Sequence, residues 1–282
     1  MKKRFVAMLA LGMAVAVVGC GSEKAGEAAP AETAATETAA TEAAPTEAAA
    51  TEAAATEAAP TETAATEAAA VMSHAEYEAA ALEDPVTVAV YVQATQSWWD
   101  DQITVYAADE DGAYFIYNMA CSEEDAAKLV PGTKILVSGY KSEWSGEVEI
   151  VDATFTFQEG NYVVSSPEDV TALLGKDELI RHQNEFVSFT DMEVVAKKNA
   201  DGQDVAFLYN WDGSGAPGSD LYFDAAVDGS TYTFTVESYL CGQDTDVYKA
   251  VEGLNIGDKV DMEGFLYWYE GANPHITKVT VK

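Results

Sequence analysis

The sequence predicts a mostly β protein: two tandem five-stranded barrels, each with a short helix, behind an exported leader and a low-complexity spacer. Three observations predict it. Residues 22–72 carry no pattern that could bury a core. Apolar alternation of period two begins near residue 85, and the order of strands and helix in the first half returns in the second.

Residues 1–19 read as a signal peptide. Lys2, Lys3 and Arg4 precede an apolar run over residues 5–18, shorter than the ~20 residues a helix needs to cross a bilayer. The run ends at Val17-Val18-Gly19-Cys20, which resembles the lipobox of bacterial lipoproteins. The resemblance implies diacylglyceryl transfer to the Cys20 sulfur and cleavage before it. Two acyl chains anchor durably where one does not. The expected location is therefore the outer face of the cell membrane.

Residues 20–72 form a spacer rich in Ala, Thr and Glu. Glutamates recur every five residues from Glu32 to Glu67, and Pro30, Pro45 and Pro60 every fifteen. A period of five advances each glutamate by ~140° around a helix, so no apolar stripe exists. Each internal proline costs ~3 kcal/mol in a helix. The expectation is an extended, self-repelling, disordered linker.

The net charge is −33, and residues 73–282 hold 38 acids against eleven lysines and arginines. Nucleic-acid affinity comes largely from cations meeting phosphates, so nucleic acid is not expected as a partner. Arg4 and Arg181 are the only arginines, too few for phosphate clamps.

The first barrel is assigned to residues 73–160. Strands are expected at 86–92, 103–107 and 114–119, with a hairpin signal at Asp109-Glu-Asp-Gly112. Ser122 caps a short helix whose first turn holds Glu123, Glu124 and Asp125, and Pro131-Gly132 ends it. Strands at 134–140 and 148–157 turn about Ser145-Gly146. Residues 161–184 form a helical connector, with a helix beginning at Ser166-Pro167-Glu168 and interrupted at Gly175; Arg181 and His182 read as interface groups. The second barrel, residues 185–282, repeats the order: strands at 186–196, 205–209 and 232–238, a helix at 244–251, and strands at 259–269 and 275–281. Gly132, Lys134 and Gly139 match Gly257, Lys259 and Gly264, and Cys121 matches Cys241.

Three strands, a helix and two strands, with a glycine inside the fourth strand, resemble the OB-fold. The chain also resembles the tandem OB-fold lipoproteins of anaerobic Gram-positive bacteria. That likeness rests on Met119-Ala-Cys-Ser-Glu-Glu-Asp125, the run ending Trp144-Ser-Gly146, and Gly264-Phe-Leu-Tyr-Trp-Tyr269. It implies no catalytic residue.

Catalytic and metal motifs fail on inspection. Residues 213–218 satisfy GxGxxG, but Pro217 removes an N–H and no helix follows. Asn210-Trp-Asp212-Gly imitates an EF-hand opening, yet Leu221 stands where a bidentate glutamate is required. A looser calcium set of Asp212, Asp220 and Asp224 remains. His74, His182 and His275 have no metal spacing. Neither enzyme activity, cofactor nor metal is expected, and Cys121 and Cys241 are expected as free thiols.

Aromatic residues mark the binding face. Trp98 and Trp99 fall between the first barrel's strands one and two, and Trp144 between its strands four and five. Tyr267, Trp268 and Tyr269 occupy the second barrel's equivalent turn, and Trp211 opens a loop placed after its second strand. An OB-fold binds across strands two and three between those loops. These seven residues and lipidated Cys20 are the candidate sites. The expected function is a non-catalytic binding or scaffold lipoprotein for a protein or neutral glycan. An acidic hydrolase, or nucleic-acid binding by analogy of fold, is the alternative.

Overall fold

A computed structural model of the chain describes residues 70–160 and 163–282. The leader, Cys20 and nearly all of the spacer lie outside them.

The first barrel opens with a helix that the strand pattern does not announce, α1 (His74–Ala79). Ser73 and Glu76 close a capping box at its start, and Tyr77 enters the barrel core. Strands β1 (Pro85–Thr95), β2 (Gln102–Ala108) and β3 (Ala113–Ala120) follow. Helix α2 (Glu123–Ala126) is capped by the Ser122 side chain, as expected, before β4 (Lys134–Trp144) and β5 (Glu147–Phe157). The strands close in the order β1-β2-β3-β5-β4. A short parallel pairing of Phe115 with Glu149 and Ile116 with Ile150 joins β3 to β5, and β1 pairs antiparallel with β4.

In the connector, residues 168–169 are not helical. They form a two-residue strand, β6 (Glu168–Asp169), beside Val187 and Ser188. The 3₁₀ turns begin later, at Thr171–Leu173 and Asp177–His182. Gly175, at φ +75°, separates them.

The second barrel begins with β7 (Phe186–Val195). A long excursion then carries three stubs: β8 (Lys197–Lys198), β9 (Asp204–Val205) and β10 (Phe207–Tyr209). The barrel's second strand is β11 (Leu221–Val227), not residues 205–209. β10 pairs with the first half of β11, and β7 takes its second half, from Asp224 to Ala226. Next come β12 (Ser230–Val236), α3 (Asp246–Glu252), β13 (Lys259–Phe265) and β14 (His275–Val281). The ring β7-β11-β12-β14-β13 has the first barrel's order, and Thr235 beside His275 supplies the same parallel contact. The chain is thus a tandem OB-fold protein.

Each barrel has its own apolar core, one around Val88, Ile116 and Ile135, the other around Phe189, Phe223 and Phe234. Cys121 and Cys241 are free and buried, one at the edge of each core. Gly139 and Gly264 lie at register shifts where the fourth strand bends over the fifth. A Cβ on Gly139 would stand 2.6 Å from the Val151 carbonyl oxygen, and one on Gly264 would strike the backbone of His275 and Ile276. Both glycines are required by close backbone approach.

Candidate functional site: an aromatic cleft between the barrels

Both barrels belong to one compact unit, Thr63–Lys282. They meet where the second and third strands of the first barrel face the fourth and fifth strands of the second. Tyr106 of β2 stacks on Phe265 at 4.3 Å between ring centres, and Phe115 of β3 meets Tyr267 edge-on at 5.3 Å. The Tyr106 hydroxyl lies 2.9 Å from His275 Nδ1, and both residues are buried. Burial pushes His275 down to about 3, so its ring is neutral. Around this seam, Glu147 Oε2 accepts from Trp268 N at 2.8 Å, Ser145 O from Glu270 N at 2.7 Å, and Tyr239 O from Ser97 N at 2.7 Å.

Beyond the seam the two faces part into a cleft of about 890 Å³. Residues of both barrels line it. The structure brings five of the seven predicted aromatics there: Trp99, Trp144, Trp211, Tyr267 and Tyr269. Trp99 is 70% exposed and Trp211 75%, a large area of indole left in water. Trp144 and Tyr269 touch across the barrels at 5.1 Å.

Two predicted residues do other work. Trp98 packs on the first core and donates from Nε1 to Cys121 O at 2.8 Å. Trp268 packs on the second core, its ring close over Gly146 of the first barrel's turn. Trp211 is placed differently from expectation. Because β11 is the true second strand, Trp211 lies between strands one and two, the same connection that holds Trp99 in the first barrel.

Sequence reasoning missed Phe115, Tyr117, Tyr222 and Tyr239, which add rings to the cleft, and the pair Asp220 and Glu237 on its wall. A signal for the seam was present. β2 is buried at six successive positions, and its sequence Ile-Thr-Val-Tyr-Ala-Ala lacks the polar alternation of a strand with one wet face.

Asp220 Oδ1 accepts from Ser238 N at 2.8 Å and Ser238 Oγ at 2.6 Å. Glu237 accepts from Tyr239 N at 3.1 Å and Leu240 N at 2.9 Å. Burial, with the charge of Asp220 behind it, pushes Glu237 up to about 7. Among the described residues, no lysine or arginine lines the cleft.

The calcium set does not assemble. Asp212 caps Ser214 N, Asp220 holds Ser238, and Asp224 pairs with Lys197 Nζ at 2.8 Å. His182 instead meets two carboxylates, with Nδ1 2.7 Å from Glu185 Oε2 and 3.8 Å from Glu168 Oε2.

No protein-family model and no curated protein matches the sequence. Among solved structures, a murine DNA-binding protein bound to double-stranded DNA is similar at 13% identity, over 71% of this chain and 96% of that one, with a TM-score of 0.35. The Ifi202 HINa domain in complex with 20-bp double-stranded DNA is similar at 14% identity, over 71% and 96%, with a TM-score of 0.30. A replication protein A heterotrimer bound to single-stranded DNA is similar at 10% identity, over 73% and 51%, with a TM-score of 0.30. These neighbours are DNA complexes, against the expectation that nucleic acid is no partner, and that expectation is withdrawn; the likeness itself shows the fold alone and assigns this chain no ligand. Whole-chain charge describes the average surface, whereas a ligand meets one local face.

Proposed function

We propose that this chain is a non-catalytic binding lipoprotein, held at the outer face of a membrane through lipidated Cys20, that seats a glycan in the cleft between its barrels. The observation that carries the reading is the convergence of exposed rings from both barrels on one cavity. Its volume, about 890 Å³, falls in the ~300–1,000 Å³ range of ligand pockets. Flat apolar rings flanked by hydroxyl, amide and carboxylate groups suit sugars, which offer C–H faces and a rim of hydroxyls. Thr104, Asn118 and Asn273 supply neutral polar groups beside the rings.

The test is a glycan array probed with the mature chain, with single-stranded DNA in the same panel because bases also stack on such rings. Saturable glycan binding that Trp211→Ala weakens about tenfold supports the reading. Binding of DNA alone, or of nothing by a folded chain, overturns it. Anchoring has its own test. Cys20→Ser is expected to move the protein from the membrane fraction to the medium.

A second reading, an acidic glycoside hydrolase, is favoured by the carboxyl pair Asp220 and Glu237, with Glu237 held at a higher pKa as a general acid would be. Against it, both Glu237 oxygens face backbone N–H donors, an arrangement for accepting rather than donating. Release of reducing ends from a bound oligosaccharide, lost in Glu237→Gln, would establish the hydrolase.

A further inference from the structure

We propose that the wall formed by Asp220 and Glu237 makes the cleft selective for oligosaccharides bearing free, positively charged amino groups. The inference rests on the glycan reading above and names the class of sugar. It follows from a charge imbalance built into the cavity. Both carboxyl groups lie on one wall, at the end of the excursion loop and the exit of β12. The backbone fixes them: Ser238 holds Asp220, and the N–H groups of Tyr239 and Leu240 hold Glu237. They are not swinging surface acids whose charge water screens at no cost.

Among the described residues, no lysine or arginine pairs with them. Each ion pair of the second barrel, such as Lys197–Asp224, Lys259–Glu193 and Lys278–Glu263, involves other acids. Among the described residues, Asp220 Oδ2 receives no hydrogen bond. Glu237 is half-buried, and its carboxyl is pushed up because burial and the Asp220 charge both disfavour ionisation. A bound ammonium would relieve that repulsion and restore the carboxylate. Tyr222, Tyr239 and Tyr267 line the same cleft. Burial raises the hydroxyls of both Tyr222 and Tyr267, and the Glu237 charge adds to the rise at each. Ring faces and carboxylates together are how proteins hold ammonium groups, the rings through their quadrupoles. A neutral sugar would use the rings and the neutral polar groups and leave the acids' repulsion in place.

The experiment compares glucosamine tetramer with N-acetylglucosamine tetramer, which share a backbone and differ in the amine. Binding to the mature chain is measured calorimetrically at neutral pH and low salt. The expected result is at least tenfold tighter binding of the free-amine tetramer, with the preference shrinking as salt rises. Asp220→Asn and Glu237→Gln should each reduce the preference for the free-amine tetramer severalfold. Circular dichroism spectra and thermal melts that match the parent show that the variants fold. Equal affinity for the two tetramers overturns the inference and leaves the glycan reading standing. Binding of neither tetramer, with other array glycans bound, overturns the inference alone. Binding of no glycan overturns both.

Discussion

At the scale of single residues, neighbours of the same type divide between structure and ligand. Trp98 and Trp99 are adjacent, yet Trp98 is bound into the first core by its Nε1 bond to Cys121 O, while Trp99 stands in water at the cleft. Trp98→Ala should cost ~3 kcal/mol or more of stability, by cavity and lost contacts. Trp211→Ala should change stability by less than ~0.5 kcal/mol while weakening ligand binding. Urea melts of the two variants beside the parent check the contrast, and equal melts would show that the assigned roles are wrong. Glu147 yields a prediction of a different kind. It is fully buried at the seam, and burial pushes it up to about 8 from an ordinary 4.5. The folded chain then keeps this proton over a range in which the unfolded chain has lost it. From pH ~4.5 to ~8 this group therefore subtracts stability as pH rises, by up to ~1.4 kcal/mol per unit, and above pH ~8 its effect is constant. Glu147→Gln keeps the amide-sized group and removes the titration. Its stability relative to the parent should climb between pH 5 and pH 8. A constant difference across that range would mean that Glu147 is ionised in the fold.

At the scale of elements, legibility followed local pattern. The strands of the first barrel were readable because alternation, the hairpin at Asp109–Gly112 and the cap at Ser122 agree with one another. The second strand of the second barrel was not. Residues 205–209 carry the apolar signature of a strand and do form one in part, but as an edge stub laid on β11. Propensity cannot say which of two strand-like runs closes a ring, because that is decided by pairing with β7. Helix α1 escaped notice because its six residues bury only Tyr77 and leave no periodic stripe. Among the candidate site residues, the rings near the strand ends were readable from the OB-fold loops. Asp220 and Glu237 were not, since acids occur throughout the sequence and only the fold singles out two. The paired glycines were readable, and they are testable together. Gly139→Ala and Gly264→Ala each place a methyl against the backbone of the fifth strand. Each should cost ~1–3 kcal/mol, the usual penalty for overfilling a packed site. Thermal melts in which both variants match the parent would show that the strands part without cost.

At the scale of the whole molecule, the cleft exists only because two barrels are held face to face. Sequence duplication alone would allow two independent modules on a string. The seam removes that freedom, with Tyr106 stacked on Phe265, its hydroxyl on His275, and further hydrogen bonds from Ser97, Ser145 and Glu147 across the barrels. Because Tyr106 is fully buried yet lies between the cores rather than in either, it reports on coupling more than on either barrel. The parent chain should unfold in a single calorimetric transition whose calorimetric and van't Hoff enthalpies agree. Tyr106→Phe keeps the stacked ring and removes the hydroxyl, so it should cost ~1–2 kcal/mol and leave one transition. Tyr106→Ala removes the ring that bridges the barrels and leaves His275 Nδ1 unpaired; it should split unfolding into two transitions and weaken ligand binding, although Tyr106 does not line the cleft. Two transitions in the parent would mean that the barrels are independent and the cleft is not preorganised. A Tyr106→Ala chain that melts once and binds as the parent does would move the coupling to the hydrogen bonds at the seam's margin, where Glu147→Ala, which removes the acceptor of Trp268 N, would have to break it instead.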